Sequence, residues 1–149
     1  MTAKISEELQ LRSALADDAP RCAGILNDWI DATPWMPRCH KRDDIERHYR
    51  EFVFPRREVH VIGTPVEAYI ALSSDNFITS LFCAQPGQGY GKVLVDRAKE
   101  LRGVLWLWTF VANAGARRFY EREGFTERRR TEGDNEEKLP DILYHWSAP

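Results

Sequence analysis

Apolar positions fall into two rhythms along the chain, and the rhythm changes mark the elements. The alternation from Leu9 to Leu15 predicts an opening strand. Asp17 and Asp18 then offer an N-cap, and Cys22, Ile25, Leu26, Trp29 and Ile30 recur at helical spacing. Thr33, Pro34 and Pro37 stop that helix in a loop that carries Trp35 and Met36. A second helix starts at Asp43 or Asp44, with Ile45, Tyr49, Phe52 and Val53 as its stripe, and ends before Pro55. Three strands follow: Glu58 to Ile62, Val66 to Leu72 and, after a Ser74–Asp75–Asn76 turn, Phe77 to Cys83.

From Gly89 to about Arg102 the helical period returns, with Leu94, Val95, Ala98 and Leu101 inward. A strand from Val104 to Phe110 and a helix from Asn113 to Glu123 come next, the latter closed by Gly124 where a left-handed C-cap belongs. Strands from Phe125 to Thr131 and Ile142 to Trp146 end the chain, split by a polar loop. The order predicts an α/β (α+β) fold, a mixed sheet with helices packed on it. No repeat, linker or low-complexity tract divides the sequence, so residues 1–149 read as one domain.

Composition narrows the classes of function. With 149 residues and 43% apolar residues, the chain can bury a substantial core. A net charge of -2, from 21 basic and 23 acidic residues, lacks the basic surface that nucleic acid requires. The run Arg128, Arg129, Arg130 is flanked by acids and reads as a solvated strand or turn. Neither a signal-peptide core nor a run of roughly 18 to 20 apolar residues is present, which argues against a membrane partner. Cys22, Cys39 and Cys83 fit neither a disulfide framework nor zinc spacing and read as reduced thiols of a cytoplasmic protein. The four histidines, His40 included, have no ligand partners at a useful spacing, so no metal is expected and they read as structural.

The segment from Gln85 to Lys92, QPGQGYGK, lies between a predicted strand and a predicted helix. Glycines there allow close backbone approach, and the N–H groups at the helix start favour a phosphate. A Walker A loop fails at Pro86 and Val93, and a Rossmann fingerprint fails because Thr109 and Phe110 stand where the acid belongs. Downstream, Phe110 to Phe125 reads FVANAGARRFYEREGF.

Together these two segments resemble a GNAT-type N-acetyltransferase, a family with a Gln/Arg-x-x-Gly-x-Gly/Ala loop, then an Asn and an Ala-x-x-Phe-Tyr-x-x-x-Gly-Phe helix exit. Gly89 and Gly91 match the small positions, and Asn113, Ala116, Phe119, Tyr120, Gly124 and Phe125 match the second motif. The family's leading Gln or Arg falls on Pro86, which removes one backbone donor. The resemblance implies a mostly antiparallel central sheet of about seven strands with about four helices, and acetyl-CoA as co-substrate. It places the acyl-CoA site at Leu81, Phe82, Cys83, Gly87, Gln88, Gly89, Tyr90, Gly91, Lys92, Asn113, Ala116 and Tyr120.

The chemistry so implied is direct attack of an amine on a thioester through a tetrahedral oxyanion, which needs alignment, N–H donors and an acid near the sulfur. Tyr120, protonated at neutral pH with a pKa near ~10, is the expected catalytic acid, while Phe119 reads as packing. Asn113 reads as an N-cap, to which the resemblance adds a bond to the pantetheine arm. Backbone amides among Leu81, Phe82 and Cys83 are the expected oxyanion donors. No acid or His lies in Phe77 to Cys83, so the base is unassigned, with Glu67, Asp75 or a water chain open. Cys83 reads as a buried strand thiol rather than a nucleophile.

The family's acceptor walls fall on the Thr33–His40 loop, with Trp35 and Met36, and the Thr131–Pro140 loop, with Asp134 and Glu137. An apolar wall and an acidic loop suit a primary amine of a small molecule or peptide. A solvated acidic turn is the alternative for that loop, and a non-catalytic acyl-CoA-binding or interaction module is the alternative for the whole chain. A homodimer is compatible with all of this.

Overall fold

The computed structural model describes residues 9–149. It runs β1 (Leu11–Ser13), α1 (Ala19–Ala32), α2 (Arg42–His48), a π-helical turn (Tyr49–Val53), α3 (Phe54–Arg56), β2 (Glu58–Ile62), β3 (Ala68–Leu72) and β4 (Ile78–Cys83). Then come α4 (Tyr90–Leu101), β5 (Val104–Phe110), α5 (Ala114–Arg122), β6 (Thr126–Thr131) and β7 (Asp141–Ser147). The seven strands form two antiparallel sheets, β1-β2-β3-β4 and β5-β7-β6. A single parallel bridge, Phe77 to Trp106, joins them.

β3 is the middle of the molecule because its sequence, AYIAL, is apolar at every position. Ala68, Ile70 and Leu72 enter the core beneath α4 and α5, with Leu94, Val95, Leu105 and Leu107. Tyr69 and Ala71 enter the other core, with Cys22, Ile25, Tyr49 and Val53 from α1 and the π-turn. The two cores thus follow the period-2 alternation of one strand. β6, by contrast, exposes Glu127 to Arg130 along a sheet edge, the solvated strand expected of its arginines.

Three details differ from the sequence expectation. Asp18 makes no ordinary N-cap bond to α1; its carboxylate accepts instead from the Leu15 N–H at 2.8 Å and from Arg12 at 2.7 and 3.0 Å. The second helix runs past Pro55 to Arg56, because the π-turn is closed by Phe54 N–H to Tyr49 O. Pro55 has no N–H for the Glu51 carbonyl, and Arg56 donates to that oxygen at 3.3 Å instead. The wider turn also rotates the stripe, leaving Phe52 36% exposed while Tyr49 and Val53 stay buried. Leu101, expected inward, is 43% exposed: it is the last residue of α4, and Arg102 is already extended.

Candidate functional site

β4 and β5 run side by side and part after the Phe77–Trp106 bridge. A bulge contributes to the parting: Ala71 pairs with Ser80 but Leu72 with Ile78, so Thr79 is the extra residue and β4 bends there. Beyond it the β4 backbone has no partner on the β5 side among the described residues. The Ala84 N–H bonds Glu67 O at 2.8 Å, on the β3 side. Alternation then gives Phe82 and Ser80 N–H to β3 as well and turns those of Leu81 and Cys83 into the gap. Of the three expected oxyanion donors, Leu81 and Cys83 therefore have free N–H groups, whereas Phe82 spends its N–H in the sheet.

The glycine turn lies at the open end of this gap. Gly87 and Gly89 have φ of 84° and 80°, a left-handed backbone that disfavours side chains, and a Cβ on either would meet nothing within 4 Å. Gly89 is the N-cap of α4, and the first helical bond is Val93 N–H to Gly89 O at 3.4 Å. The N–H groups of Tyr90, Gly91 and Lys92 consequently have no partner within the helix. Gly91 has a packing role: its Cβ would stand 3.3 Å from the Phe119 ring. The Lys92 ammonium does not face the turn alone, since it pairs with Asp96 and Glu123, each at 3.3 Å.

α5 brings the second motif to the same gap. Asn113 caps it, accepting from the Ala116 N–H at 3.1 Å, and Gly124, with φ of 94°, ends it as its position predicts. Phe119 and Tyr120 pack edge to face at 5.2 Å, and Ala116 rests against the same core. The Tyr120 ring is 8% exposed, and its hydroxyl bonds no described residue. Burial raises the Tyr120 pKa well above its ordinary value, and the neighbouring Cys83 thiol raises it further. Burial also pushes the Cys83 thiol up, partly offset by the Gly91 N–H. The phenol, the thiol and the start of α4 thus meet at the base of the gap, with the phenol held protonated.

On the opposite face of β4 is a cavity of about 690 Å³. Its floor is Thr79, Ser80 and Phe82, and Leu26, Ile30, Ile45 and Val53 make apolar walls. Met36, Pro37, Cys39, His40, Glu136 and Glu137 line its rim, and Arg57, Asp44, His48 and Tyr49 complete it. The rim loops are tightly held. Arg38 donates to Asn27 Oδ1 at 2.9 Å, Asp31 at 2.8 Å and His40 O at 3.0 Å. In the β6–β7 loop, Asn135 bonds Leu139 O at 2.7 Å and Asp141 at 3.0 Å, and His40 Nε2 meets a Glu136 carboxylate oxygen across the rim.

The residues expected to bind the acceptor are therefore distributed. Met36 and Glu137 line this cavity. Asp134 lies in a neighbouring hollow of about 420 Å³ with Trp108, Phe110 and Arg129, which Glu137 also borders. Trp35 stands near both, packed on Trp29 at 5.8 Å and Phe110 at 5.9 Å. Neither Glu67 nor Asp75 lines the cavity; Asp75 sits in the β3–β4 turn, at the far end of β4 from Cys83. Sequence reasoning read His40, at the end of the acceptor loop, as structural, and missed Asp44, Arg57 and the Tyr49 hydroxyl, which bonds Tyr69 at 2.5 Å and Ser80 at 3.3 Å. Tyr49 carried a signal as part of a helical stripe; Arg57 carried none. Among the described residues no group of three or more His, Cys, Asp or Glu is gathered to hold a metal, and no helix is long and apolar enough to cross a membrane.

A parted pair of parallel strands, with a glycine turn and helix start at its open end and a cavity behind it, defines an acyltransferase-like fold. The sequence pattern of the Acetyltransferase (GNAT) family matches residues 23–125, and the chain belongs to that family. Solved structures agree in fold. The apo form of YjaB from Escherichia coli superposes with a TM-score of 0.75 at 22% identity, over 95% of this chain and 99% of that one. The yncA protein from Salmonella typhimurium, solved with its cofactor acetyl-CoA, gives 0.72 at 18% identity over 95% and 94%. A ribosomal-protein-alanine N-acetyltransferase from Brucella melitensis gives 0.72 at 19% over 93% and 99%. No curated protein matches the sequence.

Proposed function

We infer that this GNAT acetyltransferase moves an acetyl group from acetyl-CoA to a primary amine of a small molecule or peptide. The observation that carries the reading is the parting of β4 from β5, which leaves the Leu81 and Cys83 N–H groups free and sets a protonated Tyr120 beside them. Acetyl-CoA supplies the activated acyl carbon and a thiolate leaving group. The N–H groups of the glycine turn and of Tyr90 suit its pyrophosphate, since the space over Gly87 and Gly89 is open. Leu81 and Cys83 N–H groups stabilise the oxyanion of the tetrahedral intermediate, and the Tyr120 hydroxyl gives a proton to the departing sulfur. The acceptor enters from the cavity on the other face, where the touching His40 and Glu136 side chains supply a group able to take the amine's proton.

Calorimetry with acetyl-CoA, followed by thiol release against a panel of amines, tests the reading. Tyr120→Phe should lower kcat about 100-fold or more with acetyl-CoA affinity changed less than threefold, the size general acid catalysis supplies. An unchanged kcat would remove Tyr120 from the chemistry. Binding without thiol release from any amine would favour a non-catalytic acyl-CoA module.

A further inference from the structure

The larger cavity holds two charges of opposite sign that the protein leaves unpaired. Arg57 is half-buried and lines the cavity, yet among the described residues no carboxylate lies within salt-bridge distance of it and its guanidinium makes no hydrogen bond; its neighbour is the Phe52 ring at 5.6 Å. Glu137 is half-buried too, lines the same cavity, and has no ion pair or side-chain hydrogen bond among the described residues. The other charges there are engaged: Asp44 with Arg47 at 3.5 Å, and Glu136 with His40. A half-buried charge with no partner loses hydration without recompense, a cost that a ligand of opposite charge removes.

Strand register gives their separation. Arg57 precedes Glu58, which pairs with Leu72, and Leu72 pairs with Ile78, so Arg57 is level with the start of β4. Glu137 borders both the cavity over Phe82 and the hollow beside Phe110, at the far ends of β4 and β5. Four strand steps from Ile78 to Phe82 span about 13 Å at roughly 3.3 Å each, and Arg57 lies two strand spacings of about 4.8 Å further to the β2 side. Between the two ends lie apolar walls and the hydroxyls of Tyr49, Thr79 and Ser80. The Glu137 end is the one next to the free Leu81 and Cys83 N–H groups.

We propose that the acceptor is a bipolar molecule: an amine, seated at Glu137, joined through an extended apolar body to a carboxylate seated on Arg57, as in a short apolar peptide. This deepens the transferase reading and rests on it for the direction of entry. The Arg57 fork matches a carboxylate in two parallel hydrogen bonds, so a C-terminal amide should be rejected.

The test has two independent readouts on the whole chain: quenching of tryptophan fluorescence, for peptide binding, and thiol release from acetyl-CoA, for transfer. The probes are apolar peptides of one, three and six residues, each as free acid and C-terminal amide. The expected result is at least tenfold tighter binding and higher kcat/KM for the peptide acids than for their amides, a preference absent from the single residue, which is too short to reach both charges. Arg57→Gln should bring the acid-to-amide ratio near one by raising KM, with Arg57→Lys recovering part of it and confirming that the fold survives. Acid and amide bound equally, or a preference that persists in Arg57→Gln, would overturn the proposal. Discrimination in binding without thiol release would keep the acceptor site and sink the transferase reading; release indifferent to the carboxylate would do the reverse.

Discussion

The three thiols are chemically unlike, although the sequence presents them as equals. Cys22 is fully buried, and that burial pushes its pKa to about 12. Cys83 is partly buried at the base of the strand gap, and Cys39 is exposed on the cavity rim. Thiolate fraction and access together set alkylation rates. Iodoacetamide labelling read by mass spectrometry should therefore modify Cys39 first, Cys83 slowly, and Cys22 only on unfolding; Cys22 labelled as fast as Cys39 would mean that the α1 core opens readily. At this scale the legible residues were those whose meaning is local. Asn113 and Gly124 answer to the backbone within one helical turn, so their places at the two ends of the helix identified them as caps. Arg57 was invisible because its interest lies in the partner it lacks, which depends on residues from four distant segments.

Among elements, the short β1 strand pairs with β2 along its whole length and is tied further to the start of α1 by a side chain first read as a helix cap. Arg12 in β1 grips Asp18 ahead of α1, donates to Gly63 O at 3.0 Å, and so ties three segments together. The bond from Arg12 is the main reason the Asp18 pKa is lowered, with the Leu15 N–H adding to it. A carboxylate whose folded pKa is depressed contributes stability fully above its unfolded value of about 3.9, and that contribution is lost as pH falls through the lower folded value. Asp18→Asn should therefore cost about 1–2 kcal/mol at pH 7 and leave less to lose on acidification below pH 4, measured as urea midpoint against pH. Parallel pH curves for the two proteins would show that the clamp contributes nothing. The helical segment before β2 carries a second lesson in legibility. Its apolar stripe was visible, but the π-turn that turns Phe52 outward depends on how Tyr49 and Val53 meet α1 and β3, and no periodicity within one segment records that.

Across the whole molecule, the alternation of the strands and the order of elements made the layers legible, whereas the division of seven strands into two sheets was not. That division arises at one place, the seam between Asn76–Phe77 and Trp106, where Trp106 N–H bonds Asn76 O at 2.9 Å and the two aromatic rings lie 6.4 Å apart. The seam is anchored from the end of α4. Arg102 donates to Ser73 O at 2.8 Å and Asn76 Oδ1 at 2.9 Å, and pairs with Glu58 at 3.2 Å, so a single guanidinium holds the β3–β4 turn beside β5. Its bonds fix where the strands are joined and hence where they begin to part. Arg102→Gln cannot satisfy all three acceptors and should cost about 1.5–3 kcal/mol, the range for bonds to a charged group. The same change should weaken acetyl-CoA binding several-fold by letting the gap vary in width, while Arg97→Gln, which loses only an exposed contact to Glu100 at 3.8 Å, serves as the control. Urea midpoints and calorimetric affinities measured on the three proteins decide the matter: Arg102→Gln behaving like Arg97→Gln in both would show that the sheets are joined by strand pairing and aromatic contact alone.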